Sequence, residues 1–199
     1  MNRYTSSYID RADFSSDPIT VNSCGNYRIT DQNFRTYREN GTHDYQLIYV
    51  HHGELIDNQS KRKITDETVV FFPPEKMHDY TYIAEKSTDV FWLHFGGDGV
   101  GDLLSSYEIS TDKIYKTNSS DNLGNYFNDV IREIALKNDL FREACVLNLR
   151  QILIRLTRCS KIEKDNQSIP DVFNKVIERM YLENIKFNVN DCAELCCVS

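Results

Sequence analysis

The sequence predicts a mostly β N-terminal half, folded as a sandwich or small barrel, followed by an α-helical half that begins with an antiparallel helix pair. Three observations carry that reading. Up to about residue 97, short runs rich in Val, Ile, Tyr and Phe alternate with breaks made of Gly, Asn, Asp and Pro. Beyond that point apolar residues recur at helical spacing. The 199 residues are 40% apolar and 27% charged, a composition that folds and a length that can bury a core.

The runs Ile19 to Ser23, Phe34 to Tyr37, Tyr45 to His52, Glu54 to Asp57, Thr68 to Phe72, Met77 to Ile83 and Thr88 to Phe95 read as strands. Gly53, between two of them, suggests a tight turn. Pro73 and Pro74 stop a strand, because proline cannot donate to a ladder. Short, evenly spaced strands joined by turns are the pattern of a sandwich or barrel. In the run ending at Phe95, alternation puts Phe91, Leu93 and Phe95 on one face and Trp92 and His94 on the other. The first set is expected to be core and the second to face a pocket.

In the second half, Leu123, Phe127, Val130, Ile131 and Ile134 form one apolar helical face, and Leu149, Ile152, Leu153 and Leu156 form another in a helix from about Leu140 to Cys159. The connection Lys137 to Leu140 is short enough for an antiparallel pair, which could cover the barrel or supply a dimer face. Lys161 to Gln167 is polar and reads as a linker. Ser168-Ile-Pro-Asp starts a third helix, with proline in the first turn. Asn190 is a candidate cap for a fourth. The expected divisions are 1–97, 98–164 and 165–199.

Composition excludes several classes. The net charge is −7, from 23 Lys and Arg against 30 Asp and Glu. A surface that neutralises DNA phosphates needs the opposite balance, so this chain alone is expected to bind DNA poorly or not at all. The six cysteines (24, 145, 159, 192, 196 and 197) include no Cys-x-x-Cys. With no apolar signal-like run at the N-terminus and no stretch long enough to span a membrane, they suggest reduced thiols in a cytoplasm. Cys192 and Cys196 share a helix face but lack further ligands for zinc, and read as small core residues. No phosphate loop, dinucleotide fingerprint or nucleophile elbow is present, so no cofactor is expected. The cluster Gly96 to Gly101 reads as the exit from the barrel, with a phosphate cradle as the weaker alternative.

Two motifs carry a family resemblance. One is Arg38-Glu-Asn-Gly41-Thr-His-Asp-Tyr45 running into Gln46 to Val50. The other is Pro73-Pro-Glu-Lys-Met-His78-Asp-Tyr80. With Phe91-Trp92-Leu-His94-Phe95 they resemble the ligand-sensing half of AraC-type (AraC/XylS) transcription regulators. The tail Val189 to Ser199 resembles the start of that family's helix-turn-helix DNA-binding half. The resemblance runs over about residues 15 to 199. It implies a cupin-like, jelly-roll barrel (1–97), a helical dimerisation or packing segment (98–164), and the first helices of the DNA-binding domain (165–199), in which Ser199 would cap the recognition helix. Recognition of a DNA operator would then belong to a longer parent, and this chain would be a truncated form of it that acts as sensor and dimerisation partner.

The same resemblance implies a small-molecule effector, sugar-like in many members, and a likeness in the binding residues. Arg38 would hydrogen-bond the ligand, which suits a guanidinium's rigid fork of donors. Trp92 would stack on a sugar face. Tyr45, His78, Tyr80 and His94 complete the expected ligand set, with His78 more simply read as a structural residue in its turn. The competing reading is a metal-dependent cupin enzyme acting on a small polar substrate. Its usual His-x-His signature is missing: His51 and His52 are adjacent and point to opposite faces of a strand, leaving His43 with His78 as the remaining candidate pair. The expectation is therefore no metal and no catalysis.

Overall fold

Two antiparallel sheets enclose the N-terminal part of the chain. The larger has six strands in the order β1 (Arg3–Tyr8), β2 (Thr20–Ile29), β9 (Thr88–Gly96), β4 (Tyr45–His52), β7 (Thr68–Phe72) and β10 (Ile114–Lys116). The smaller has four, in the order β3 (Phe34–Arg38), β8 (His78–Tyr82), β5 (Glu54–Asp57) and β6 (Lys63–Thr65). The chain passes repeatedly between the sheets, as in the jelly roll of cupins. The helices α1 (Val100–Ser106), α2 (Leu123–Leu136) and α3 (Phe141–Asp165) follow. The computed structural model describes residues 1–9, 17–118 and 121–165, with the single residues 178, 180, 182 and 188. The helix-turn-helix start expected over 165–199, including Ser199, otherwise lies outside the described residues.

Alternation along the larger sheet divides the core in two. On β4, Ile48 and Val50 turn inward with Trp92 and Val90 of β9, and meet Leu55, Ile64, Tyr80 and Tyr82 of the smaller sheet. Leu47, Tyr49, Phe91, Leu93 and Phe95 turn outward and are covered by Leu123, Phe127 and Val130 of α2 and Leu149, Ile152 and Leu153 of α3. Burying each such Leu, Ile or Phe contributes about 1.5–3 kcal/mol. Both faces of β4 and β9 are therefore buried, which explains their near-continuous apolar sequence.

The expected β4, β5 and β7 end where the sequence places them. Gly53 links β4 and β5 with φ +94°, where a Cβ would lie 2.5 Å from Thr88 Cα. Three strands escape the sequence reading. β1 is a polar, exposed edge strand, and β6 and β10 are three residues each. The segment 98–164, expected to be helical, thus returns one strand, β10, to pair with β7. A further difference is α3, which continues to Asp165 through the polar stretch read as a linker from Lys161. A run of Lys and Glu has good helix propensity and needs no apolar stripe to extend an established helix. Two compact units are distinguished, Met1–Ser160 and Lys161–Ser199, and everything below concerns the first. Among the described residues, no helix is long and apolar enough to cross a membrane.

Candidate functional site

A cavity of about 970 Å³ opens between the two sheets. Its wall is aromatic on the side of β2, β3 and β8, with Tyr27, Phe34, Tyr80 and Tyr82, and polar toward β4 and the end of β9, with Asp44, Gln46 and His94. A large concave site with few polar groups on an aromatic wall is the usual form of a small-molecule site.

Arg38 is brought there by the turn that closes β3. The Gly41 N–H donates to the Arg38 carbonyl at 3.2 Å, and Gly41 has φ +65° with the Lys76 carbonyl where a Cβ would stand. Only glycine suits that position, which gives the Arg-x-x-Gly spacing its physical reason. The Arg38 Nη1 donates to Gln46 Oε1 and to His78 Nδ1, both at 3.3 Å. Gln46 Nε2 in turn donates to the Tyr80 hydroxyl at 3.2 Å. Because a guanidinium only donates, His78 must accept on Nδ1 and carry its proton on Nε2. Burial pushes the His78 pKa down to about 4, and the Arg38 and His94 charges add to that, against a pull from the Pro73 carbonyl.

A second chain of polar groups runs along the rim. His94 Nδ1 lies 2.9 Å from Asp44 Oδ1. Asn22 Nδ2 donates to Asp44 Oδ2 at 3.0 Å, and the Thr20 hydroxyl donates to Asn22 Oδ1 at 2.9 Å. Asn22 sits where β2 breaks register with β9, between Val21 and Ser23. A bulge of this kind re-aims one side chain, and here it delivers Asn22 to the carboxylate. Burial pushes the Asp44 pKa up, but His94, Asn22 and Thr42 together outweigh that and hold it below the usual carboxylate value. In its neutral form His94 donates Nδ1–H to Asp44 and keeps Nε2 as an acceptor.

Of the six sequence-predicted ligand residues, Arg38, Tyr80, Trp92 and His94 line the cavity together. Tyr45 does not. It shares the parity of Leu47 and Tyr49, so it turns to the helix side and stacks on Phe95 at 5.4 Å. Its neighbour Gln46 takes the inward place, and alternation along β4 was the signal that could have found it. His78 is fully buried behind the wall, against the Phe72 ring and Arg38, and acts on the cavity through Arg38. Trp92 is only 4% exposed. Its indole lies over Gly25, with Tyr27 edge-on at 5.6 Å and Tyr8 at 5.9 Å, and its Nε1 has no hydrogen-bond partner. Asp44 and Asn22 complete the site and were not among the expected residues.

The candidate metal pair does not meet. His43 is exposed and faces Glu75 at 3.8 Å, while His78 is inside on Arg38. Among the described residues, no group of three or more His, Cys, Asp and Glu side chains is placed to hold a metal ion.

Residues 25–153 match the family model described as the AraC-like ligand binding domain. Among solved structures, an apo ToxT variant from Vibrio cholerae is similar over 92% of this chain and 72% of its own, at 14% identity and a TM-score of 0.46. ToxT from Vibrio cholerae O395 is similar over 98% of this chain and 70% of its own, at 12% identity and a TM-score of 0.38. The Clostridium difficile EutQ protein is similar over 49% of this chain and 69% of its own, at 13% identity and a TM-score of 0.33. No curated protein matches the sequence.

Proposed function

Because the chain belongs to the AraC-like ligand-binding domain family, we propose that it is the effector-sensing part of an AraC-type transcription regulator and not an enzyme. The effector is a small hydroxylated molecule, sugar-like, taken up between the sheets. The observation that carries this is the convergence of Arg38, Gln46, Tyr80, Asp44 and His94 on one cavity with an aromatic wall. Hydroxyl groups meet donors and acceptors there, and C–H faces meet rings.

The output follows from the same reading. α2 and α3 carry dimerisation, and an AraC-type helix-turn-helix region, to which residues 165–199 contribute, reads the operator in the cytoplasm. Effector binding shifts an existing equilibrium between arrangements of that region. The support for a dimer face is a set of exposed leucines on the helix pair and its connection, Leu136, Leu140 and Leu147.

A thermal-shift panel of monosaccharides, sugar acids and sugar phosphates tests the reading. At least one should raise the melting temperature, and His94→Gln should abolish that rise. A panel in which no member stabilises the protein would overturn it.

A further inference from the structure

Arg28, Arg35 and Arg38, on β2 and β3, differ in how their charge is met. Arg28 is closed by Asp89 at 2.7 Å and Arg35 by Asp79 at 2.8 Å, and both arginine side chains are more than half exposed. Arg38 lines the cavity and is half-buried, yet forms no ion pair among the described residues. Its partners are two neutral acceptors, Gln46 and His78, both reached from Nη1. A guanidinium has five donors, and the hydrogen bonds described use neither Nε nor Nη2. The carboxylate of Asp44, which lines the same cavity, forms no ion pair with Arg38. Both of its oxygens are engaged, Oδ1 with His94 and Oδ2 with Asn22.

A half-buried cation is costly unless an opposite charge meets it. A planar fork with one free edge matches a carboxylate or phosphate in a bidentate pair, the stronger kind of hydrogen bond. A neutral sugar would leave the charge unmatched. The family reading of Arg38 as a ligand residue does not itself specify charge; the partner set in this chain does.

We propose that the effector is a hydroxylated anion, a sugar acid or a sugar phosphate, with its anionic group seated on Arg38 and its hydroxyls directed to the Gln46–Tyr80 and Asp44–His94 groups. This rests on the reading of the cavity as the effector site. His78 is then a positioning residue: it accepts from Nη1 on one side and leaves the other edge of the guanidinium to the ligand.

Trp92 is the only tryptophan in the chain and lines the same cavity, so its fluorescence reports on occupancy. The experiment titrates matched sets, D-galactose with D-galacturonate and D-galactose 6-phosphate, and D-glucose with D-glucuronate and D-glucose 6-phosphate. Acetate and inorganic phosphate serve as bare anions at constant ionic strength. The wild type, Arg38→Gln and Arg38→Lys are compared, each checked for a native circular dichroism spectrum.

The expected result is that a charged member saturates at a concentration about tenfold or more below its neutral parent. Arg38→Gln should cut that preference to about twofold or less, and Arg38→Lys should keep part of it. Preference for the uronate or for the phosphate ester identifies which anion the site takes. Equal affinity for neutral and charged sugars, or a preference that survives Arg38→Gln, overturns the proposal. If no sugar of either kind binds, the bare anions separate the two ideas. A saturable response to acetate or phosphate that needs Arg38 keeps the anion subsite and rejects the sugar-like effector. No such response rejects the anion subsite itself.

Discussion

Gly25 and Trp92 oppose each other across the β2–β9 ladder, and a Cβ on Gly25 would stand 2.5 Å from the indole ring. The same Cβ would also lie 2.5 Å from the Thr5 carbonyl of β1. The missing side chain is therefore what makes room for the Trp92 ring in the cavity wall.

Gly25→Ala should accordingly cost stability, by about 1–3 kcal/mol from overpacking, and should push Trp92 out of its place. Urea unfolding with tryptophan emission measures both. An alanine variant of wild-type stability and unchanged emission would mean that β1 or the indole yields freely.

The Asp44–His94 contact gives a second prediction. Asp44→Asn should lower stability by about 1.5–3 kcal/mol at neutral pH, the range for a hydrogen bond to a charged group. The folded pKa of Asp44 is depressed below 3.8. Its contribution is thus present above the ordinary carboxylate range and lost as pH falls through the folded value. The difference between wild type and Asp44→Asn should shrink below about pH 4 when followed by denaturant midpoints.

His78 acts over a different window. Its pKa is about 4 when folded against 6.5 for the free side chain, so the unfolded chain takes up its proton first as pH falls. The His78 contribution to stability should decline between pH 6.5 and about 4 and level off below, with a total effect of up to about 3 kcal/mol. His78→Gln keeps an acceptor for Arg38 and removes the titration, so its stability should be flatter over that window. Equal pH dependence in the two proteins would place the titrating group elsewhere.

Much of this arrangement was legible in the sequence, and the failures have separate causes. β4, β7 and β9 are rich in β-branched and aromatic residues because both their faces are buried, and such runs announce themselves. β1 is Arg-Tyr-Thr-Ser-Ser-Tyr, exposed along nearly all its length, and its pairing is set by β2 with no apolar period of its own. β6 and β10 are too short to show a period at all. Of the residues that motif and alternation single out, Arg38, Tyr80, Trp92 and His94 line the cavity. Tyr45 entered through the motif alone, and its parity with Leu47 turns it to the helix side. Asn22 was out of reach, since a β-bulge that turns one residue leaves no periodic mark.

The helix pair offers a test of assembly. Leu140 and Leu147 are 78% and 63% exposed. If α2 and α3 form the dimer face, Leu147→Glu should yield a monomer in sedimentation equilibrium with its melting temperature little changed, because the side chain covers no core of its own subunit. A dimer that persists would place the interface on another surface.

The central claim is that the cavity between the sheets is the effector site, and the indole N–H of Trp92 tests it most directly. With one tryptophan in the chain, a ¹H–¹⁵N spectrum contains one indole cross-peak, from a ring that lines the cavity while its N–H is buried without a hydrogen-bond partner. The account predicts that the sugar acid or sugar phosphate that stabilises the protein will move this peak saturably, and that Arg38→Gln will need about tenfold or more of it for the same movement. A stabilising ligand that leaves the peak in place while shifting resonances of α2 and α3 would contradict it.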